Sequence, residues 1–553
     1  MRRFVVPALA VAFLALGPAR AQDARLGADL EGALVDLAAR ARERTVLIYG
    51  VIGLGSGAVV DPTGLVVTNA HVVAGARYAL VQWPDGTTEL ARQRGIDFGR
   101  DLAVLEPVEP GRDRPHFELA TKTPAEGTWV VALGFPGGLQ TTGSPTVSLG
   151  RVLGIGNGAG ASAALDYSQA IRHDAPIFSG NSGGPLVDLE GQLLGINGAV
   201  DLESAVSLTI PADAVAERLE SLEGGVIVLP GGRTIDPDES MLLRGLYRLL
   251  DPLARRLPEQ IAEASRRMAE DEALPRLPEA IAGDFDPETA DRLAVIARAS
   301  KREAVLDRLQ GAPAAPVAIA LHNGGFATRV GAEHAVCKAS FLEESGDAVT
   351  LGDGTTATIV ARSQPDDLAL LRLPRATAPG AAEAPVPPVG SLVQVRDAQA
   401  ALLASGIASV EPRRASATLA AQIRSGGVPD VVERAIDSFE QLVDRVNVEP
   451  LQALVEQLRK AIDQRKAFAA GTPPRGYAQV MAVDAPVRPS DMGAPVCDRQ
   501  GRLLGVAIGV QHHGTTYVVP MSRVREVFAE ALGGAPARPA QRWPERLGEA
   551  RLY

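Results

Sequence analysis

Three short stretches of this chain hold side chains that could act together as a nucleophile and its base. "TNAHVV" carries His71, "GRDLAVL" carries Asp101 and "SGNSGGPL" carries Ser182, at successive intervals of 30 and 81 positions. A serine hydroxyl attacks poorly until a base takes its proton. A neutral imidazole can do so near neutral pH and can then hand the proton to a leaving amine. A buried carboxylate on the other ring nitrogen holds the tautomer and stabilises the imidazolium as it forms. The glycines around Ser182 let the backbone turn so that amide groups converge on one point. This reading sets the N–H groups of Gly180 and Ser182 as an oxyanion hole, where losing one donor typically costs about 10²–10³ in rate.

These residues need a scaffold, and the flanking sequence predicts one. Leu26, Leu30, Leu34 and Leu37 line one face of a short helix over 22–44. From Thr45 the pattern becomes short strands (TVLIYG, GSGAVV, LVVTN, ALVQW) broken by Gly, Pro, Asp and Asn. That predicts a barrel or sandwich continuing to about Glu220, with His71 ending one strand and Asp101 starting another. Leu242, Leu246, Leu249, Leu253, Leu257 and Ile261 then mark helices over about 237–309, with Pro252 and Pro258 interrupting or restarting them.

The β-pattern after Val317 repeats the first. "PDGTTEL" returns as "GDGTTAT", "RDLAVL" as "DDLALL", "GGPLVDLEGQLLGI" as "GAPVCDRQGRLLGV" and "SLTIP" as "TYVVP", in the same order. Such ordered self-similarity indicates a duplicated domain. The second copy lacks the chemistry. Ser340 stands in place of His71 and Met492 in place of Ser182, and only Asp367 matches. A thioether cannot be the nucleophile and a serine cannot replace imidazole as the base. Asp367 is therefore read as supporting the fold. The second copy also carries about 44 extra residues where a helical pattern appears (Val432, Ile436, Phe439, Val443, Val446, then Leu451, Leu454, Leu458, Ile462). The helices before the second copy are the expected partner of this face. Such a copy could bind peptide, cover the active cleft or hold the helices together. The expectation is that it assists or regulates the first copy, and that deleting 313–553 would change activity while leaving the first domain folded.

The length of 553 residues implies several folding units, and a net charge of -11 argues against nucleic acid as a partner. Arg2 and Arg3, the apolar run Phe4–Leu16 and the Ala19-Arg20-Ala21 site read as a secretory signal over 1–21, with a mature start near Gln22. That run is short for a spanning helix, so no stable membrane insertion is expected after cleavage. The periplasm or the exterior is the expected compartment. There Cys337 and Cys497 could pair or remain as two buried thiols. The seven histidines show no metal-ligand spacing, so no metal is expected. His173 reads as a loop residue and the His512-His513 pair as an exposed hairpin turn.

The blocks "GSGAVVDPTGLVVTNAHVV", "DLAVL" and "GNSGGPLVDLEGQLLGIN" resemble the trypsin-like serine peptidases, and within them the HtrA (Deg) group. The resemblance implies a mainly β fold of two six-stranded barrels, cleavage of peptide bonds through an acyl-enzyme, and no cofactor. It makes His71 the general base, Asp101 its orienter and Ser182 the nucleophile. The expected organisation is a protease domain over 45–222, a helical linker over 223–312, and a degenerate second double barrel over 313–533 with a helical insertion at about 415–470. A loose tail over 534–553 follows. The implied partners are unfolded or specific exported polypeptides, and members are often trimers, although the added segments could block or replace that assembly. The PDZ domain common in the group is not evident. Pro176, six residues before Ser182, is not the acid that selects basic side chains in trypsin. The pocket wall is assigned to Ile196, Asn197, Gly198, Ser207, Leu208, Thr209 and Ile210, suited to small or medium apolar side chains.

Overall fold

The computed structural model describes residues 27–533 except 52, 110–112, 137–143, 157–166, 202–203, 236–240, 263–286, 311–316, 323, 343–345, 377–380, 416–429, 447–451, 453–454, 457, 460–476 and 513. The expected signal, the tail from 534 and much of the predicted insertion lie outside these residues.

Six strands form the first barrel: β1 Thr45–Tyr49, β2 Leu54–Val59, β3 Val66–Thr68, β4 Tyr78–Gln82, β5 Thr88–Asp97 and β6 Leu102–Pro107. Their order is β5-β4-β1-β2-β3-β6, and β5 pairs again with β6 to close the ring. The second barrel is closed in the order β10-β11-β12-β9-β8-β7. Its strands are β7 Trp129–Gly134, β8 Thr146–Ile155, β9 Ile171–His173, β10 Pro185–Val187, β11 Leu193–Asp201 and β12 Val206–Pro211. Short strands β13 Ile227–Val228 and β14 Thr234–Ile235 extend the first sheet. Closing both sheets leaves few unpaired edges, which suits a chain of short strands.

The second copy repeats this strand plan, but of its two sheets only the second closes into the expected barrel. Strands β15 Ala318–Ala320, β16 Phe326–Arg329, β17 His334–Lys338, β18 Ala348–Thr350, β19 Thr356–Ser363 and β20 Leu368–Arg372 form a six-stranded sheet. Strands β21 Leu392–Arg396, β22 Leu402–Ala415, β23 Tyr477–Val483, β24 Pro495–Asp498, β25 Leu503–His512 and β26 Thr515–Pro520 close a barrel in the same order as β7–β12.

Helices join the copies. Helix α1 (27–42) buries Leu30, Leu34 and Leu37 in a core shared by both barrels of the first copy and by Leu392 and Ile407 of the second. Helix α4 (Met241–Ala254) and helix α7 (Asp430–Val446, within the insertion) pack on each other. They bury Leu246, Tyr247, Leu250, Val432, Ile436, Phe439 and Val443 in one cluster with β1 and β4. The first copy's core therefore extends into the second copy's insertion. This shared core weighs against the expectation that the first domain stays folded without residues 313–553.

Other local expectations shift as well. Residues Ala212–Glu223, read as the last of the β-region, form helix α3, whose Val215 and Leu222 are buried. His71 does not end a strand: β3 stops at Thr68 and His71 lies on the single turn α2 (Ala70–Val73). The Asn69 amide donates to the Asp101 carbonyl (2.9 Å), which draws the chain away from the sheet. Pro252 lies inside α4 rather than breaking it. Its neighbour Asp251 ties the helix to the barrel through the Arg77 backbone and side chain (both 2.8 Å). Cys337 and Cys497 are buried free thiols, and burial pushes both up to about 12.

Candidate active site

Strand β6 starts just after Asp101, and Asp101 itself holds a φ of +55°, in the left-handed region that Asp tolerates better than most residues. That conformation turns the buried carboxylate back toward α2. Oδ1 accepts the His71 backbone N–H at 3.0 Å, and Oδ2 lies 2.8 Å from His71 Nδ1. A carboxylate accepts from a ring N–H, so the ring proton belongs on Nδ1 and Nε2 carries the lone pair that a base needs. The Tyr167 hydroxyl donates to Oδ2 at 2.9 Å. Burial and the Asp101 charge raise the Tyr167 phenol well above its ordinary value, so it stays a donor. The His71 side chain is 42% exposed and the Asp101 side chain 2%, the division a base that meets substrate requires.

The Ser182 turn packs directly on the His71 turn. A Cβ on Gly183, whose φ is +85°, would overlap the Ser56 carbonyl and the Thr68 hydroxyl and crowd Asn69 N. Ser56 clamps the turn from the first barrel. Its N–H donates to the Ser182 carbonyl (2.8 Å), its hydroxyl donates to the Gly180 carbonyl (2.7 Å), and that hydroxyl accepts from Phe135 N of the second barrel (2.9 Å). Within the turn, Asn181 N donates to Phe178 O, Gly183 N to Asn197 O and Gly184 N to Asn181 O. Among the described residues, the N–H groups of Gly180 and Ser182 donate to nothing in the chain. Gly180 has a φ of +102°. Two open amides, two residues apart, beside a serine hydroxyl make a site for a developing negative oxygen. The Ser182 hydroxyl lies 3.5 Å from the Gly198 carbonyl.

The residues assigned to the pocket wall divide by strand alternation. Ile196, Leu208 and Ile210 point into the barrel core. Ser207 and Thr209 face the other way: Ser207 donates to the Ala175 carbonyl (2.7 Å) and Thr209 to Asn197 Oδ1 (2.8 Å). His173 is fully buried with Nε2 3.0 Å from the Thr209 hydroxyl, and desolvation lowers it to about 3, so it is neutral. Gly198 is pressed against the Tyr167 ring.

Tyr167 and Ser56 were not singled out from sequence. Tyr167 carried a signal in a fifth repeat: Tyr167, Gln169, Asp174, Ala175 and Pro176 recur at the same spacing as Tyr477, Gln479, Asp484, Ala485 and Pro486.

The second copy keeps the frame and lacks the reactive groups. Asp367 has a φ of +52° and accepts from Ser340 N (2.8 Å) and the Ser340 hydroxyl (3.0 Å). Lys338, at the position of Asn69, is buried; its Nζ bonds to Asp367 and to the Ile508 carbonyl (2.7 Å). Met492 is buried in a hydrophobic cluster. Phe326 replaces Ser56: its N–H still reaches the Met492 carbonyl (2.9 Å), and the turn is held by the Thr328 hydroxyl on the Gly493 carbonyl (2.8 Å) instead of by a serine at this position. Residues Pro489–Asp491 form a 3₁₀ turn where the first copy has its open amides.

Residues 55–196 match the family model described as a trypsin-like peptidase domain. The HhoA protein of Synechocystis sp. is 36% identical over 178 residues, 32% of this chain and 44% of its own. Serine protease HTRA4 of Mus musculus is 38% identical over 172 residues, 30% of this chain and 34% of its own. A DegP-like protein of Pseudomonas fluorescens, named as a periplasmic serine endoprotease, is 36% identical over 177 residues, 31% of this chain and 35% of its own. The chain thus spans less than half the length of these relatives. A solved HtrA-type protease, AlgW with a tripeptide, aligns over 34% of this chain and 63% of its own at 30% identity, with a TM-score of 0.31.

Proposed function

We propose that this chain, in which a trypsin-like peptidase domain of the HtrA kind covers residues 55–196, is an exported serine endopeptidase. Ser182 attacks the scissile carbonyl while His71 Nε2 takes its proton. Asp101, steadied by Tyr167, holds the ring and offsets the imidazolium charge. The amides of Gly180 and Ser182 receive the oxyanion. His71 then protonates the leaving amine, and water, activated by the same imidazole, hydrolyses the acyl-enzyme.

The observation that carries this reading is the pair of unbonded amides of Gly180 and Ser182 in one chain with a histidine whose Nδ1 faces a buried carboxylate. Pro176 at the base of the pocket segment, with no acid there, favours small or medium apolar side chains over Lys or Arg in the substrate. The signal-like N-terminus and the DegP-like relative support export to the periplasm and action on unfolded or specific exported polypeptides. A homo-oligomer is part of the same proposal.

A fluorophosphonate probe on the purified mature chain tests the chemistry. The parent should be labelled, and Ser182→Ala should not. An unlabelled parent would turn the reading toward a peptide-binding scaffold.

A further inference from the structure

We infer that the second copy is an internal brace for the segment that leads into the Ser182 turn, with Gly514 and Asp484 as positioning residues for the first copy's chemistry. This rests on the protease reading above and goes beyond it by assigning a role to the copy that lacks reactive groups.

The contact is made at two points. At the first, the tip of the β25–β26 hairpin lies on Pro176: a Cβ on Gly514 would overlap the Pro176 Cβ and Cγ. Pro176 stands six residues before Ser182, in the run Asp174–Ile177 whose Ala175 carbonyl accepts the Ser207 hydroxyl. At the second, Asp484 crosses from the second copy to strand β8 of the first, where its Oδ2 accepts Leu149 N at 2.7 Å. The next residue, Gly150, lies so close to Ala175 that a Cβ there would overlap its backbone. The residue after that, Arg151, donates its N–H to Asp174 at 2.6 Å. Both contacts therefore bear on Asp174–Pro176 from opposite neighbours.

The duplication explains the geometry. Asp174 and Asp484 are equivalent, as are their partners Arg151 and Ile407, and strands β8 and β22 face each other across the copies. By that symmetry Asp174 would reach back to Ser405 N. Instead Ser405 N donates to Glu303 Oε2 at 3.1 Å, and the fully buried Arg302 bonds to the Asp484 carbonyl (2.7 Å) and carboxylate (2.9 Å). The linker helix α6 (Lys301–Leu309) has thus made the pairing one-sided. The second copy grips the first copy's pocket segment, while its own equivalent segment is held by Arg298, which bonds to the Pro486 carbonyl (2.7 Å) and to Asp491. The open amides of Gly180 and Ser182 occur in this braced state.

Gly514→Ala in the full chain tests the brace, with Pro176→Gly as its partner in a double-mutant cycle. The added methyl should push the pocket segment off the hairpin. Amide exchange across 171–183 should quicken, and kcat/KM should fall by about 10²-fold, the scale for a misplaced reacting group. In the Pro176→Gly background, where the overlapping atoms are gone, Gly514→Ala should add nothing further to either readout. Exchange and turnover unchanged by Gly514→Ala would overturn the proposal, as would an equal effect in both backgrounds. If the parent fails to react with the fluorophosphonate probe, the protease reading falls, while the exchange cycle still decides whether the brace exists.

Discussion

The left-handed backbone at Asp101 and the hydroxyl of Tyr167 serve one purpose, to present a carboxylate whose two oxygens are both occupied by donors. Removing one donor without removing the ring isolates the effect. Tyr167→Phe should lower kcat by about tenfold with KM little changed, since a hydrogen bond to a charged group is worth about 1.5–3 kcal/mol. Steady-state kinetics on a peptide substrate would check it. Asp101→Asn should keep the backbone, because Asn also tolerates this conformation, yet lose about 10⁴ in kcat through the wrong tautomer. Unreduced turnover in Asp101→Asn would remove the triad. His71, Asp101 and Ser182 stand out in the sequence as candidates because their short motifs are dense in residues with few other reasons to occur together. Tyr167 was legible only by aligning the chain with itself. Ser56 was not legible, because its hydroxyl gains its partners Gly180 and Phe135 only where two barrels meet.

Helix α6 shows what an element can do that its periodicity does not announce. Its Ser300 cap, which accepts from Glu303 N, starts an ordinary short helix. Its Arg302 and Glu303, which would normally be solvated, are instead sealed between the copies. Burial raises Glu303 from 4.5 to about 8, against the pull of Arg302, and raises Asp484 from 3.8 to about 6. Below pH 4.5 Glu303 is neutral in the unfolded chain as well as the folded one, so its contribution to stability is fully present. As pH rises toward about 8 the unfolded chain ionises first, so that contribution is lost. The thermal midpoint should therefore fall as pH rises through this window, and Glu303→Gln should flatten the dependence. Differential scanning calorimetry across that range is the check, and an unchanged slope in Glu303→Gln would exclude the residue as its source. Sequence showed that these helices exist and which faces are apolar. It did not show that α6 would carry its charges inward.

At the scale of the whole molecule the two copies do not behave as beads on a string. Val432, Ile436, Phe439, Val443 and Leu458 of the insertion complete the core that begins in β1 and β4. At about 1.5–3 kcal/mol for each large buried side chain, their loss rivals the 5–15 kcal/mol that typically holds a domain together. A chain ending at residue 312 should therefore be insoluble or melt far below the parent. A soluble fragment with the parent's melting temperature would show that the shared core contributes little. The ion pair between Arg42 of α1 and Glu411 (2.7 Å), partly exposed, adds orientation more than stability.

Motif spacing and self-similarity by themselves determined a β-rich chain of short strands, an internal repeat and three candidate residues in the first half, and the family resemblance added the expectation of paired barrels. Residue type and periodicity act over a few residues, so sequence carries them directly. Only the tertiary structure decided where the copies touch, that the insertion joins the first copy's core, and that a hairpin tip rests on Pro176. Those facts depend on which surfaces meet once each barrel has closed. Burial of a surface is a property of the whole packed chain, and no segment of sequence carries it alone.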